Sequence, residues 1–161
     1  MPWHFLFGKT LRTRLIPSSL AGLLLLAGQL HSATSWPQFR GPNGRGVAEG
    51  EKPPVHFGLT TNLLWKTALP SGHSSPCIWG ERIFVTGFER ETKRLETICL
   101  DRKSGKILWR RDAPVEKIEK VHHISTPASS TPTTDGKAVY VHFGSYGLLA
   151  YDFAGAVLWD R

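Results

Sequence analysis

The sequence predicts an all-β chain of four-stranded units set side by side, a β-propeller arrangement, and three observations carry that prediction. The first is a repeated hairpin signal. ICLDRKSGKILW at 98–109 returns as LAYDFAGAVLW at 149–159, each an alternating apolar run into an Asp, a short turn carrying Gly, and a second run ending on Trp. The residues are Asp101, Gly105 and Trp109, then Asp152, Gly155 and Trp159. Asp can fold back on its own backbone and Gly tolerates positive φ, so both favour a tight reversal. Gly-to-Trp spacing is four in both copies while Asp-to-Gly spacing is four and then three, so the outgoing strand keeps its register and the Trp faces the same way each time. The second observation is a matching pair of segments ahead of the hairpins, SSPCIWGERIFVTG at 74–87 and STPTTDGKAVYVHFG at 130–144, which gives each unit four strands. The third is Trp65 in NLLWKTAL, an outgoing strand without its incoming partner, so that Trp recurs at intervals of 44 and 50. A unit of that length closing on a large aromatic has the period of a propeller blade.

DRKSGKILW and TDGKAVYVHFGSYGLLAYDFAGAVLW resemble the repeats of the pyrroloquinoline-quinone-like (PQQ-like) β-propeller superfamily, and WPQFRGPNGRG at 36–46 resembles the leader of a secreted bacterial branch of it. The resemblance spans about residues 36–161. It implies the fold and leaves the chemistry open, because the superfamily holds quinoprotein dehydrogenases and also cofactor-free propellers such as the outer-membrane assembly lipoprotein.

In chain order, residues 1–35 carry Lys9, Arg12 and Arg14 with no acid, then LAGLLLLAG, then QLHSATS. That is the pattern of a secretory signal peptide, with small residues Ala33 and Ser35 placing the cut after Ser35. The apolar run is too short for a bilayer core of about 30 Å, so no permanent membrane span is expected. No Cys follows for a lipid anchor, and Thr13 separates the two arginines of any twin-arginine signal. The expected location is periplasmic or extracellular. Without the leader, the 20 basic and 13 acidic residues of the 161 leave a formal charge of +4 in place of +7, scattered through turns, which gives no nucleic-acid footprint.

Residues 36–60 form a Gly/Pro-rich irregular arm, with Trp36 and Phe39 to bury against the propeller wall. GPNGRG lacks the Lys-Ser/Thr ending of a phosphate loop. The partial propeller occupies 61–161, with blades at about 70–111 and 128–161. The first blade's strands are expected at 75–79, 82–87, 95–100 and 106–110. The strand around Trp65 is expected to be the outer edge of the last blade, since closure pairs otherwise open edges. Two blades and one strand do not close a ring of about four to eight, so a longer gene product or other subunits are expected to supply the rest. Trp65, Trp109 and Trp159 are expected to pack between neighbouring sheets.

Cys77 and Cys99 are the only cysteines. They fall on the first and third strands, about 9.5 Å apart and beyond the roughly 7 Å reach of a disulfide, so two buried thiols are expected. The resemblance also specifies what a quinoprotein dehydrogenase needs: an acidic base, Asn and Glu holding Ca²⁺ against the quinone, a stacking Trp and usually a vicinal disulfide. Here there is no adjacent Cys pair, Asn occurs only at 43 and 62, and Asp101, Asp135 and Asp152 are explained by turns. No Cys-x-x-Cys-His offers haem attachment. No cofactor is therefore expected, with PQQ and Ca²⁺ admissible only where further blades supply the site.

Blade topology gathers the loops 70–75, 88–94, 112–128 and 144–147 on one face. His73, Arg90, His122, His123, Ser145 and Tyr146 would ring that channel mouth and take an anionic or sugar-like ligand or an envelope protein. A metal on His122 and His123 is disfavoured because neighbours on an extended strand point to opposite sides. EKIEK at 116–120 reads as one helical turn. The expected function is an exported, non-enzymatic binding or scaffolding module. The alternatives are part of a quinone-dependent alcohol or sugar oxidoreductase and, on the His-rich mouth alone, a polysaccharide hydrolase or lyase.

Overall fold

Alternating apolar residues on either side of the two Asp-Gly turns fold into antiparallel ladders. The computed structural model describes residues 35–50 and 52–161. Its first sheet runs in chain order through β1 (Ser35–Trp36), β2 (Cys77–Trp79), β3 (Arg82–Glu89), β4 (Arg94–Asp101) and β5 (Ile107–Asp112). The second runs through β6 (Thr133–Thr134), β7 (Val139–Phe143), β8 (Gly147–Tyr151) and β9 (Val157–Asp160). The two sheets are successive propeller blades and do not close into a ring. The leader assigned to 1–35 lies outside the described residues except for Ser35. Among the described residues no helix is long and apolar enough to cross a membrane.

The hairpin turns are built as their residues dictate. Asp101 Oδ1 accepts from the Ser104 amide (2.8 Å) and hydroxyl (2.7 Å), and these bonds hold its carboxyl below the usual carboxylate range. Gly105, at φ +70°, donates its amide to the Asp101 carbonyl (2.8 Å). In the second turn Asp152 Oδ1 accepts from Ala156 N (2.8 Å), and Gly155 sits at φ +87°. The constant Gly-to-Trp spacing produces the same bulge twice. Cys99 pairs with Trp109 and Leu100 with Ile107, just as Ala150 pairs with Trp159 and Tyr151 with Val157.

Cross-strand pairing sets one row of the first sheet, Cys77, Phe84, Cys99 and Trp109, on a single face. That row packs with Val139, Val141, Leu149 and Tyr151 of the second sheet to form the core. Trp109 closes the joint. Its ring lies 5.7 Å from Tyr151 and covers Gly155, where a Cβ would come within 2.8 Å of the indole, and its Nε1 donates to the Phe153 carbonyl (3.1 Å). Arg111 Nε donates to the Gly155 carbonyl (2.6 Å).

Trp65 repeats the arrangement one unit earlier. Its ring covers Gly105, its Nε1 donates to Arg102 O (2.9 Å), and Thr67 Oγ1 donates to Gly105 O (2.6 Å). Trp65 thus acts as the outer-strand Trp of a preceding unit, but residues 62–70 form no strand. The expected edge pairing is absent because β9 already holds the outer edge of the second sheet. Trp159 also departs from expectation. It is 40 % exposed, with no sheet of the described residues beyond it.

The arm departs in two ways. Ser35–Trp36 pairs with β2 and makes the first sheet five-stranded, and Phe39 is 61 % exposed instead of buried. The carbonyl of the next residue, Pro37, accepts from Cys77 Sγ (3.3 Å), Thr133 Oγ1 (3.1 Å) and Thr134 N (2.9 Å), so it bridges the two sheets.

Candidate functional site

The loops at one end of the sheets are stitched together by backbone polar groups that the strands leave unpaired. Phe88 N donates to Ser71 O (2.7 Å), and His73 N donates to Ala128 O (3.0 Å). Thr86, buried on β3, receives Ser74 Oγ at its amide (3.0 Å) and donates its own hydroxyl toward the carbonyls of Ala128 (3.3 Å) and Ser130 (3.2 Å). Loops 71–75, 88–93 and 113–131 thereby converge. Val115 and Ile118 anchor the long link on the core.

This convergence leaves a depression of about 250 Å³. Phe88, Ile118, Val121 and Pro127 supply its apolar lining, and Arg90, Glu119, His122, His123 and Ser125 its polar groups. The His122 and His123 rings lie side by side, 4.2 Å between centroids. The expectation that they point apart fails because the chain turns here, with Ser125 N donating to His122 O (2.8 Å). Glu119 was missed from sequence, where EKIEK reads as a solvated helical turn. The segment is instead a bend. Its Glu119 amide donates to Ser145 Oγ (3.1 Å), and its carboxylate lies against Gly144, where a Cβ would come within 2.5 Å of the Glu119 oxygens.

Of the six mouth residues expected from sequence, Arg90, His122 and His123 line the depression, and Ser145 supports it through Glu119. His73 joins the loop network through its backbone, and its exposed side chain lies outside the lining. Tyr146 is turned away. Its ring packs on the core and its hydroxyl donates to Asp160, a bond that pushes the phenol above its usual range. Chemically, the depression offers a guanidinium and two imidazoles as donors, with one carboxylate as acceptor, over an apolar floor.

Both thiols are free and lie in the joint between the sheets, away from the depression. Burial pushes Cys77 up to about 12 and Cys99 up to about 11, the latter opposed by Arg82, so neither is an activated nucleophile. The described residues hold no group of three or more His, Cys, Asp or Glu side chains that could hold a metal ion.

The PQQ_2 family model, described as outer membrane protein assembly factor BamB, matches residues 57–161. The chain belongs to this PQQ-like repeat family. Within the PQQ-like framework, the Trp, Gly and Asp repeat residues are all engaged in turns and sheet packing, apart from Trp159. No curated protein matches the chain. The quinone that gives the PQQ-like family its name does not fit the described residues. Asp101, Asp135 and Asp152 spend their carboxylates on turn amides, and the cysteines are separated by Phe84 across the sheet, leaving no vicinal pair.

Proposed function

We propose that this PQQ-like repeat protein is an exported, non-enzymatic binding module of the cell envelope. Its recognition surface is the loop depression holding Arg90, Glu119, His122 and His123. The observation that carries the reading is a division of labour: the repeat residues build the scaffold, while polar side chains that make no internal ion pair among the described residues converge on one loop cluster. Three potential cationic donors beside one carboxylate, over apolar residues, suit a small anionic ligand, an acidic sugar, or an acidic loop of an envelope protein. The leader pattern at 1–35 supports export, and the matched family's description as an outer-membrane assembly factor supports the envelope setting.

Titration of the protein with glucuronate and with inorganic phosphate, followed by amide chemical shifts, tests the reading. Shifts confined to 88–91 and 118–127 and lost in Arg90→Ala support it. Shifts that survive both Arg90→Ala and the His122→Ala/His123→Ala double variant remove the depression as the site. Stoichiometric uptake of PQQ with Ca²⁺, coupled to dye reduction, overturns the non-enzymatic reading.

A further inference from the structure

The joint between the two sheets is made by a small set of residues, and the far face of the second sheet carries the same set with nothing against it. Toward its partner the first sheet presents Phe84, Cys99 and Trp109 in cross-strand register. Away from the first sheet the second presents Tyr140, Ala150 and Trp159 in the same register. The aromatic pairs match in geometry. Phe84 and Trp109 stand 6.0 Å apart at 44°, Tyr140 and Trp159 6.0 Å apart at 35°. Two residues after each Trp comes an arginine held the same way, Arg111 Nη1 on Arg110 O (2.8 Å) and Arg161 Nη1 on Asp160 O (2.9 Å). Arg111 uses its Nε on the Gly155 carbonyl (2.6 Å). Arg161, fixed by its ladder bonds to Leu148, has no such carbonyl. Val157, Leu158 and Trp159 are 55, 53 and 40 % exposed, a row of large apolar side chains on an open edge.

What fits this set is defined twice within the chain: an Asp-to-Gly hairpin turn with Gly at positive φ, whose carbonyls accept from the Trp indole and from the residue two further on. The first sheet owns such a turn at Asp101–Gly105, and behind it Ile83, Val85, Ile98 and Leu100 occupy the face opposite the Cys99 row. That turn is occupied by Trp65 and Thr67. Their segment, 62–70, has no ladder, and it leaves Leu63 and Leu64 47 and 90 % exposed. A tether of this kind is displaceable. Trp159 with Arg161 offers the same indole and a charged donor in place of the Thr67 hydroxyl, and charge-assisted hydrogen bonds are the stronger ones.

We infer that the Trp159–Arg161 edge docks the first sheet of a second copy of this chain, seating Trp159 on that copy's Asp101–Gly105 turn in place of its own Trp65. The two surfaces are different and lie on opposite sides of one chain, so the contact is head-to-tail and adds copies in succession instead of stopping at a symmetric dimer. It repeats the joint already present between the two sheets and is independent of the loop depression.

Sedimentation equilibrium of the purified protein across a concentration series reads this directly. The expected result is a weight-average mass that climbs through successive multiples of the protomer with concentration. Trp65→Ala, which vacates the turn, strengthens the association. Trp159→Ala and Arg161→Ala, both at exposed positions that leave the fold intact by circular dichroism, abolish it and weaken it respectively. A single-protomer mass for both the wild type and Trp65→Ala at the highest concentration overturns the inference and assigns the edge to a different partner. Association unchanged in Trp159→Ala overturns it as well, since the copies then meet elsewhere.

Discussion

Trp109→Ala should be the most damaging single truncation in the joint between the sheets. Trp109 is 8 % exposed, stacks on Phe84 and Tyr151, covers Gly155, and donates to Phe153 O at 3.1 Å. Truncating a buried Trp to Ala costs about 3–5 kcal/mol when the cavity does not collapse. Removing the indole also leaves the Phe153 carbonyl without its donor, at about 1 kcal/mol. The sum is about 4–6 kcal/mol, a large share of the roughly 5–15 kcal/mol that holds a domain together. Trp109→Phe keeps an aromatic ring in the joint and loses the donor, so about 2 kcal/mol is expected, the hydrogen bond and the changed shape contributing comparably. Trp159 is the internal control. It has the same sequence setting and 40 % exposure, so Trp159→Ala should cost about 1 kcal/mol in dilute monomer. Urea unfolding with linear extrapolation provides the assay, with an unchanged slope required before the values are compared. Equal losses for Trp109→Ala and Trp159→Ala, or a loss below about 1 kcal/mol for Trp109→Ala, would refute the claim that this indole locks the joint.

Gly155→Ala combines left-handed backbone strain of about 1–2 kcal/mol with a Cβ only 2.8 Å from Trp109, so a loss of at least about 2 kcal/mol is expected by thermal or urea melting. Glu96 is fully buried between Arg110 at 3.2 Å and Arg94 at 3.7 Å, and Glu96→Gln should cost up to about 3 kcal/mol, below the full figure for a broken buried pair because both arginines reach solvent. Recovery of stability in a Glu96→Gln/Arg110→Met double variant would identify the stranded guanidinium as the cause. The cysteine pKa values carry a definite sign. Both thiols are raised above their ordinary 9.0, to about 12 and about 11, so their contribution is intact below pH 9 and is lost as pH rises toward 11–12. Stability measured by chemical denaturation should fall across that window, and alkylation of the folded protein near pH 9 should lag far behind that of the unfolded chain. Rapid labelling of Cys77 in the folded state would contradict its burial.

What the sequence disclosed was local. The Asp and Gly of each turn, the period-two apolar runs and the fixed Gly-to-Trp spacing specify hairpins within about a dozen residues, and the sheets and their paired bulges follow. What it concealed depends on partners far away in the chain. Ser35–Trp36 becomes a strand only because β2 offers a free edge, and nothing in a Gly/Pro-rich neighbourhood announces that. NLLWKTAL has a strand's composition but finds no edge, because β9 occupies the one it would have taken. At the depression, loop convergence could be inferred from blade topology, which brought Arg90, His122 and His123 together. The side chains could not. The His pair depends on a turn at 122–125, Glu119 on a glycine 25 residues later, and Tyr146 on an Asp160 that no short-range pattern links to it.

The Pro37 carbonyl has a consequence in time as well as in space. It accepts from β2 and from both residues of β6, the latter 96 positions further along the chain. A polypeptide emerging from its amino end can make the Cys77 contact long before Thr133 and Thr134 exist outside the ribosome or the export channel. The last acceptor geometry is then completed only when nearly the whole chain is out, against a loop-closure entropy that grows with the logarithm of the span. The arm therefore reports completion: it becomes fully bonded only after both sheets have been delivered, and until then the first sheet waits with its amino-terminal edge strand half fastened.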